Sequence, residues 1–206
     1  YPMHGRTMRD HNWRKGGYGT LTVSEILEQS SNIGVSRLID RAYHNSPQKY
    51  VDGLKDLGVG VPLDLPFVGK GEPIIPQPNS KKRYWSKTDL AWMSIGYVTQ
   101  LTPIHTLTFY NGIANNGRMV KPRFVKAEKD NGIIVREFPT EVIREKMCSQ
   151  HTLDDIHDIL EKVVSKGLGK RAGNGGKLFK VSGKTGTAQM AQAGGKGYHS
   201  GTPRYM

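Results

Sequence analysis

Apolar positions along the chain fall into short helical stripes, punctuated by glycine and proline, with strand-like alternation only in its later part. Residues 1 to 21 carry no period and are basic and glycine-rich, with Gly16-Gly17-Tyr18-Gly19 as a flexible turn. Thr22-Val23-Ser24-Glu25 reads as a capping box, in which the Thr22 hydroxyl caps a helix start and Glu25 reaches back to the cap. Val23, Ile26 and Leu27 predict an apolar stripe for this short helix. Ser30-Ser31-Asn32 interrupts it, because such side chains bond to nearby backbone and favour caps over helix interiors. Ile33, Leu38, Ile39 and Ala42 resume a helical period. The triplet is therefore placed in a tight junction between two helices.

Ser46-Pro47 predicts a third helix, with serine as cap and proline at the first helical position. Its buried face is Tyr50, Val51, Leu54 and Leu57, and Gly58 ends it. From Val59 to Ser80 prolines and glycines recur among apolar residues, which predicts a long extended surface excursion. Asp89 to Tyr97 is apolar and compact. Thr102-Pro103 starts another helix with Ile104, Leu107 and Ile113 inward, stopped by Asn115-Asn116-Gly117. Arg123–Glu128 and Ile133–Phe138 read as two strands joined around Asn131-Gly132, a hairpin signal. Thr152 begins a last helix carrying Ile156, Ile159, Leu160, Val163 and Val164, ended by Gly167. A glycine-rich basic loop to Lys177 then leads into a β-like run, Leu178-Phe179-Lys180-Val181. There are no internal repeats.

Composition narrows the picture only a little. With 206 residues, 36% hydrophobic content and 25 glycines, the chain is neither fibrous nor membrane-spanning and can bury one substantial core. A net charge of +12 permits anionic partners. The basic residues are scattered, however, with Lys81-Lys82-Arg83 the densest run, and no nucleic-acid motif accompanies them. A solvated basic surface follows, with no nucleic-acid partner. Cys148 is alone, which excludes an internal disulfide and a cysteine-based zinc site. The histidines show no metal-ligand spacing, His151 and His157 being six apart, so no metal site is expected. The chain shows no signal peptide or transmembrane run, and it opens at Tyr1 without an initiator methionine, like a piece of a longer protein.

Chemistry concentrates after the β-like run, in Val181-Ser182-Gly183-Lys184-Thr185-Gly186-Thr187-Ala188-Gln189. On a strand Thr185 and Thr187 share one face, with Lys184 on the other or turned in from the edge. Gly186 has no Cβ, so a ligand's backbone can lie close against the strand. A lysine charge and paired hydroxyls beside open N–H groups suit a carboxylate or a developing oxyanion. Gly183-Lys184-Thr185 also looks like the tail of a phosphate-binding P-loop, but that motif needs glycine where the chain has Leu178. The other reading is the Lys-Thr-Gly box of penicillin-recognising enzymes, which requires a Ser-x-Asn box well upstream. Ser30-Ser31-Asn32 supplies it.

The chain resembles the transpeptidase domain of class B penicillin-binding proteins, particularly the division-specific type. Further matching residues are Met93-Ser94-Ile95-Gly96-Tyr97 followed by Thr102-Pro103, Ala114-Asn115-Asn116-Gly117 with Lys121-Pro122, and Ile33-Gly34 after the triplet. They run in the family's order across nearly the whole chain. The resemblance implies an α/β (α+β) fold of the penicillin-binding-protein and β-lactamase-like transpeptidase type, present in part: a mostly helical portion, the Lys-Thr-Gly strand and a β-hairpin. Residues 1–206 would be the central part of one such domain. The implied reaction is peptidoglycan cross-linking, in which a serine attacks the carbonyl of a D-Ala-D-Ala stem peptide and the acyl-enzyme is resolved by an amine. Related classes are a non-catalytic penicillin-binding sensor and a serine β-lactamase.

Carried over residue by residue, Ser30 would relay protons to the leaving amine and Asn32 would bond the substrate's amide. Lys184 would give positive potential to the relay and to the substrate carboxylate. Thr185 and Thr187 would hold that carboxylate, beside Gly186, and the Thr187 N–H would complete the oxyanion hole. No cofactor is implied. The implied partners are stem peptides, β-lactams and membrane proteins of the division machinery, at the outer face of the cytoplasmic membrane. One departure stands out. The family's nucleophile lies in a Ser-x-x-Lys box upstream of Ser-x-Asn, and the Ser-x-x-Lys of this chain, Ser46-Pro47-Gln48-Lys49, lies downstream. It reads as a helix cap followed by a surface lysine, and the nucleophile is expected outside the chain, upstream, with further sheet strands downstream.

Overall fold

The computed structural model describes residues 1–66, 71–81, 83–173 and 178–187. Contacts divide it into two units. One comprises Tyr1, Met8–Val35 and Asp158–Met206, the other Pro2–Thr7 and Ser36–His157.

The first twenty-one residues are more ordered than their composition implies. Strands β1 (Pro2–Met3) and β2 (Arg6–Thr7) pair antiparallel across His4-Gly5. Both turn residues have positive φ, at 48° and 83°. A 3-10 turn follows at Trp13–Lys15.

Helix α1 (Val23–Glu28) opens with the expected capping box. The Thr22 side chain accepts from the Glu25 N–H at 3.3 Å, and the Glu25 carboxylate accepts from the Thr22 N–H at 2.8 Å. Its predicted stripe is narrower than Val23, Ile26 and Leu27. Ile26 is buried, whereas Val23, at the first helical position, is 58% exposed. Ile26 packs where Gly34 leaves room, since a Cβ on Gly34 would stand 2.7 Å from the Ile26 side chain.

Helix α2 (Asn32–Tyr43) follows at once. Helix α3 (Pro47–Asp56) has proline in its first turn and fully buried Val51, and Gly58 ends it at φ 87°. Ser46 is the cap by position, but its side chain makes no capping hydrogen bond. The stretch after it has no regular structure among its described residues beyond a bridge between Ile74 and Gln100.

The 89–97 segment holds helix α4 (Asp89–Met93), which buries Leu90, Ala91 and Met93. Helix α5 (Pro103–Ala114) forms where proline predicts it, but its inward face differs from Ile104, Leu107 and Ile113. His105, Thr108, Gly112 and Ile113 are buried, and Leu107 is 61% exposed. The inward face is lined with small and polar groups because neighbours approach closely. A Cβ on Gly112 would stand 2.4 Å from the Met147 sulfur. Asn115 caps α5, and Asn116 and Gly117 leave it with positive φ.

Strand β3 (Met119–Val120) was not legible as a strand, having only two residues. It pairs with β6 (Val142–Arg144). Between them β4 (Ala127–Asp130) and β5 (Ile133–Glu137) form the hairpin around Asn131-Gly132, whose φ values are 47° and 85°. The first strand begins at Ala127, not Arg123, because 123–126 has no ladder partner among the described residues.

Helix α6 (Gln150–Ser165) starts two residues before the expected Thr152. The Ser149 hydroxyl accepts from the Thr152 N–H at 3.1 Å and so supplies the cap. Leu153, Leu160, Val163 and Val164 are its buried positions.

The expected strand at Leu178–Val181 and on through Thr187 carries no β-ladder among the described residues. Its anchor is a helix instead. The Gly183 N–H donates to the Leu160 carbonyl of α6 at 3.1 Å, and Lys180 pairs with Glu161 at 2.9 Å. Ala188 and Gln189 lie outside the described residues. No helix of the described residues is long and apolar enough to cross a membrane.

Candidate active site

The Ser30-Ser31-Asn32 junction is built by two helix ends meeting within three residues. At the end of α1 the Ser30 N–H donates to the Leu27 carbonyl at 3.1 Å, and the Ser31 N–H to the Ile26 carbonyl at 2.8 Å. That pair of bonds is the Schellman closure, whose first residue beyond the cap must be left-handed and is usually glycine. Here it is Ser30, at φ 50°. A side chain there costs about 1–2 kcal/mol of backbone strain, so the position is held by its surroundings rather than by preference.

The surroundings are a buried carboxylate. Asp10, 5% exposed, accepts from the Ser31 hydroxyl at 2.9 Å and from the Ile33 N–H at 3.0 Å. The Ser31 oxygen in turn accepts from the Gly34 N–H at 3.0 Å, which makes Ser31 the cap of α2. A negative charge at the first turn also complements the helix dipole. The Asn32 amide donates to the Arg9 carbonyl at 3.1 Å. Tyr18 donates to the Gln29 carbonyl at 3.3 Å, and burial, then the charge of Asp10, pushes its phenol up. Asp10 had no signal in the sequence. It is one acid among basic residues, 21 positions before the serine it binds.

The second part of the site arrives along α6. Gly167, after the end of that helix, comes so close to α1 that a Cβ would stand 2.4 Å from the Glu28 carbonyl oxygen. Lys166 pairs with the buried Glu28 carboxylate at 3.5 Å. The chain then returns along α6 to Lys184. The Lys184 ammonium donates to the Ser30 hydroxyl oxygen at 2.7 Å, to the Thr185 carbonyl at 3.1 Å and to the Thr185 hydroxyl at 3.4 Å. All three acceptors are uncharged oxygens, and burial pushes the lysine pKa down. Of the residues singled out from the sequence, Ser30, Lys184 and Thr185 are thus brought together across 154 positions. Asn32 is held on the same junction, half-buried. Gly186 and Thr187 are exposed, and Thr187 makes no hydrogen bond among the described residues.

This arrangement sets a direction for protons. With Lys184 donating to its oxygen, the Ser30 hydroxyl keeps its own proton free to donate outward. The positive charge lowers the cost of negative charge on that oxygen. A strained serine with an ammonium behind it is suited to passing a proton between groups of a bound substrate. Ser46 and Lys49 form no such pair, for Lys49 is exposed on α3.

A model of the penicillin binding protein transpeptidase domain matches residues 1–204, and the chain belongs to that family. Among curated relatives it is similar to penicillin-binding protein PbpB of Mycobacterium tuberculosis, 30% identical over 200 residues, which cover 93% of this chain and 28% of that protein. The peptidoglycan D,D-transpeptidase FtsI of Escherichia coli is 26% identical over 196 residues, covering 95% of this chain and 29% of that protein. Stage V sporulation protein D of Bacillus subtilis is 28% identical over 185 residues, covering 88% and 27%. The chain thus spans under a third of the length of these relatives. Among solved structures, penicillin binding protein 3 from the tuberculosis bacterium, complexed with aztreonam, superposes with a TM-score of 0.74 at 27% identity, covering 96% of this chain and 43% of that one. Penicillin binding protein 2X from Streptococcus thermophilus, at 23% identity, shares the fold with a TM-score of 0.78, over 98% of this chain and 29% of that one.

Proposed function

We propose that this chain is the central part of the catalytic domain of a peptidoglycan D,D-transpeptidase that acts in septal wall synthesis. The observation that carries this reading is the 2.7 Å bond from Lys184 to Ser30, which joins the two motif boxes of the family in one site. In the reaction, a serine attacks the penultimate carbonyl of a D-Ala-D-Ala stem peptide and the terminal D-alanine leaves as an amine. Ser30 hands its proton to that amine and is reprotonated through the lysine side. Asn32 bonds the peptide amide, Thr185 and Thr187 hold the substrate carboxylate, and Gly186 lets the peptide backbone lie close. The Thr187 N–H stabilises the oxyanion. β-Lactams imitate the dipeptide and stall at the acyl-enzyme, in line with the aztreonam and ampicillin complexes of the tuberculosis relative.

The attacking serine in this proposal is not in the chain. Its one Ser-x-x-Lys, Ser46 to Lys49, follows Ser30 in sequence and shows no hydrogen bond between the two side chains. A serine in a longer parent, preceded by a membrane anchor that holds the domain on the outer face of the cytoplasmic membrane, supplies the nucleophile. Septal partners then reach the domain through that parent. Labelling the parent with a fluorescent penicillin and mapping the adduct by mass spectrometry tests this. The expected adduct is a single serine preceding Tyr1, and this chain alone remains unlabelled. An adduct on Ser46, or on any serine of this chain, overturns it.

A further inference from the structure

The histidine spacing in the sequence predicts no metal site, but the fold places three potential ligands together where the hairpin β1–β2 meets the end of α2. His4 sits at the tip of that hairpin, and Asp40 and His44 lie one helical turn apart at the end of α2. The His4 Nε2 stands 2.8 Å from the Asp40 Oδ1, and the His44 Nδ1 stands 3.2 Å from the same oxygen. The two imidazoles stack, with ring centroids 5.0 Å apart and planes within 11°. One donor atom from each residue lies within 4.8 Å of the other two.

The geometry points to a site for a zinc-type divalent transition-metal ion held by His4, Asp40 and His44. Tetrahedral zinc with nitrogen and oxygen ligands at about 2.0–2.2 Å needs donor atoms about 3.3–3.6 Å apart. The 3.2 Å separation is close to that already, and the 2.8 Å one has to widen by less than an ångström. Two imidazoles and one carboxylate form the ligand set of zinc and its neighbours, whereas magnesium and calcium take oxygen ligands. His44 is 54% exposed along its side chain, so an ion has a way in and water can complete the shell.

Two further observations single out His4. Its φ of 48° is left-handed, a conformation in which histidine is enriched among non-glycine residues, and from that turn it aims its ring at Asp40. Among the described residues, the Asp40 carboxylate is hydrogen-bonded to both of these imidazoles. On binding, each imidazole offers the lone pair of the nitrogen facing Asp40 and keeps its proton on the opposite ring nitrogen. No oxidant or further reactant is involved.

The test is calorimetric titration of the chain, carrying Cys148→Ser to remove the thiol, with zinc chloride. Cobalt chloride serves as the spectroscopic probe. One equivalent of zinc should bind, and cobalt should give the visible ligand-field band of a four-coordinate ion. His44→Ala and His4→Gly should each weaken binding by more than about 100-fold, since losing even an outer partner of a metal ligand costs about 10–100-fold. His4→Gly suits the left-handed turn and so leaves the hairpin intact. His151→Ala, which alters the exposed His151–Asp155 pair, should leave affinity unchanged. Absence of saturable zinc binding, or binding that survives His44→Ala and is lost with His151→Ala, overturns the assignment.

Discussion

The two halves of the site are held in opposite ways. The Ser30–Asn32 junction is fixed by backbone. Two helix ends, a Schellman closure and the buried Asp10 leave its hydroxyls little freedom. The Lys184–Thr187 segment has no ladder among the described residues and rests on α6 through the Gly183 N–H and Lys180. Among the described residues, its hydrogen bond to the junction is made by the Lys184 side chain. The junction therefore supplies position, and the lysine segment supplies charge. Losses on the junction should appear first as stability, and losses on the segment first as rate.

The largest effect is expected from the charge. In the full-length protein, Lys184→Ala should slow acylation by a labelled penicillin about 10²–10³-fold, comparable to the loss of one preorganised transition-state donor. Lys49→Ala should leave that rate unchanged. Equal losses from the two substitutions would place catalytic weight on the Ser46 box and dissolve the contrast.

Next comes Asp10, whose removal deprives the Ile33 N–H and the Ser31 hydroxyl of their acceptor inside a buried network. Asp10→Ala should destabilise the chain by roughly 2–4 kcal/mol in urea unfolding, combining a lost cap with unsatisfied polar groups. A change within about 0.5 kcal/mol, the range of ordinary surface substitutions, would show that the junction is held by something other than this carboxylate.

Ser30 separates strain from chemistry. Ser30→Gly relieves the left-handed backbone and should be about 1 kcal/mol more stable than Ser30→Ala. Both variants lack the hydroxyl and should lose acylation alike. If alanine is as stable as glycine there, the φ of 50° stores no strain.

The smallest effect is the titration of Lys184. Burial disfavours its charged form, so the unfolded chain holds this proton more tightly than the folded one. Its penalty on folding is complete below the folded-state pKa and fades as pH rises to the ordinary lysine range. Lysine side-chain NMR should show Lys184 losing its proton below the pH at which exposed lysines do. Titration at or above theirs would mean the ammonium is not desolvated.

How legible these parts were follows from how local their causes are. The Thr22–Glu25 box, Pro47, Pro103 and Asn131-Gly132 act within three or four residues, so the helices start and the hairpin turns where the sequence placed them, although the first hairpin strand is shorter than expected. The junction between α1 and α2 was legible for the same reason. Asp10 was not, because its role depends on a loop folding back across 21 positions. The inward face of α5 was misread because apolar Leu107 was weighed above Gly112, whose value lies in admitting Met147. The run before Lys184 looks like a strand in composition, but a strand requires a partner, and α6 holds this one instead. His4 gave no signal because its partners lie 36 and 40 positions away.

In the proposed mechanism Ser30 and Lys184 act as one unit. A double-mutant cycle on acylation of the full-length protein, with Ser30→Ala, Lys184→Ala and the pair, measures this directly. Coupled residues predict a double variant about as slow as the slower single one, because each loss already disables the same proton path. Rate losses that multiply would show two independent contributions and contradict the claim.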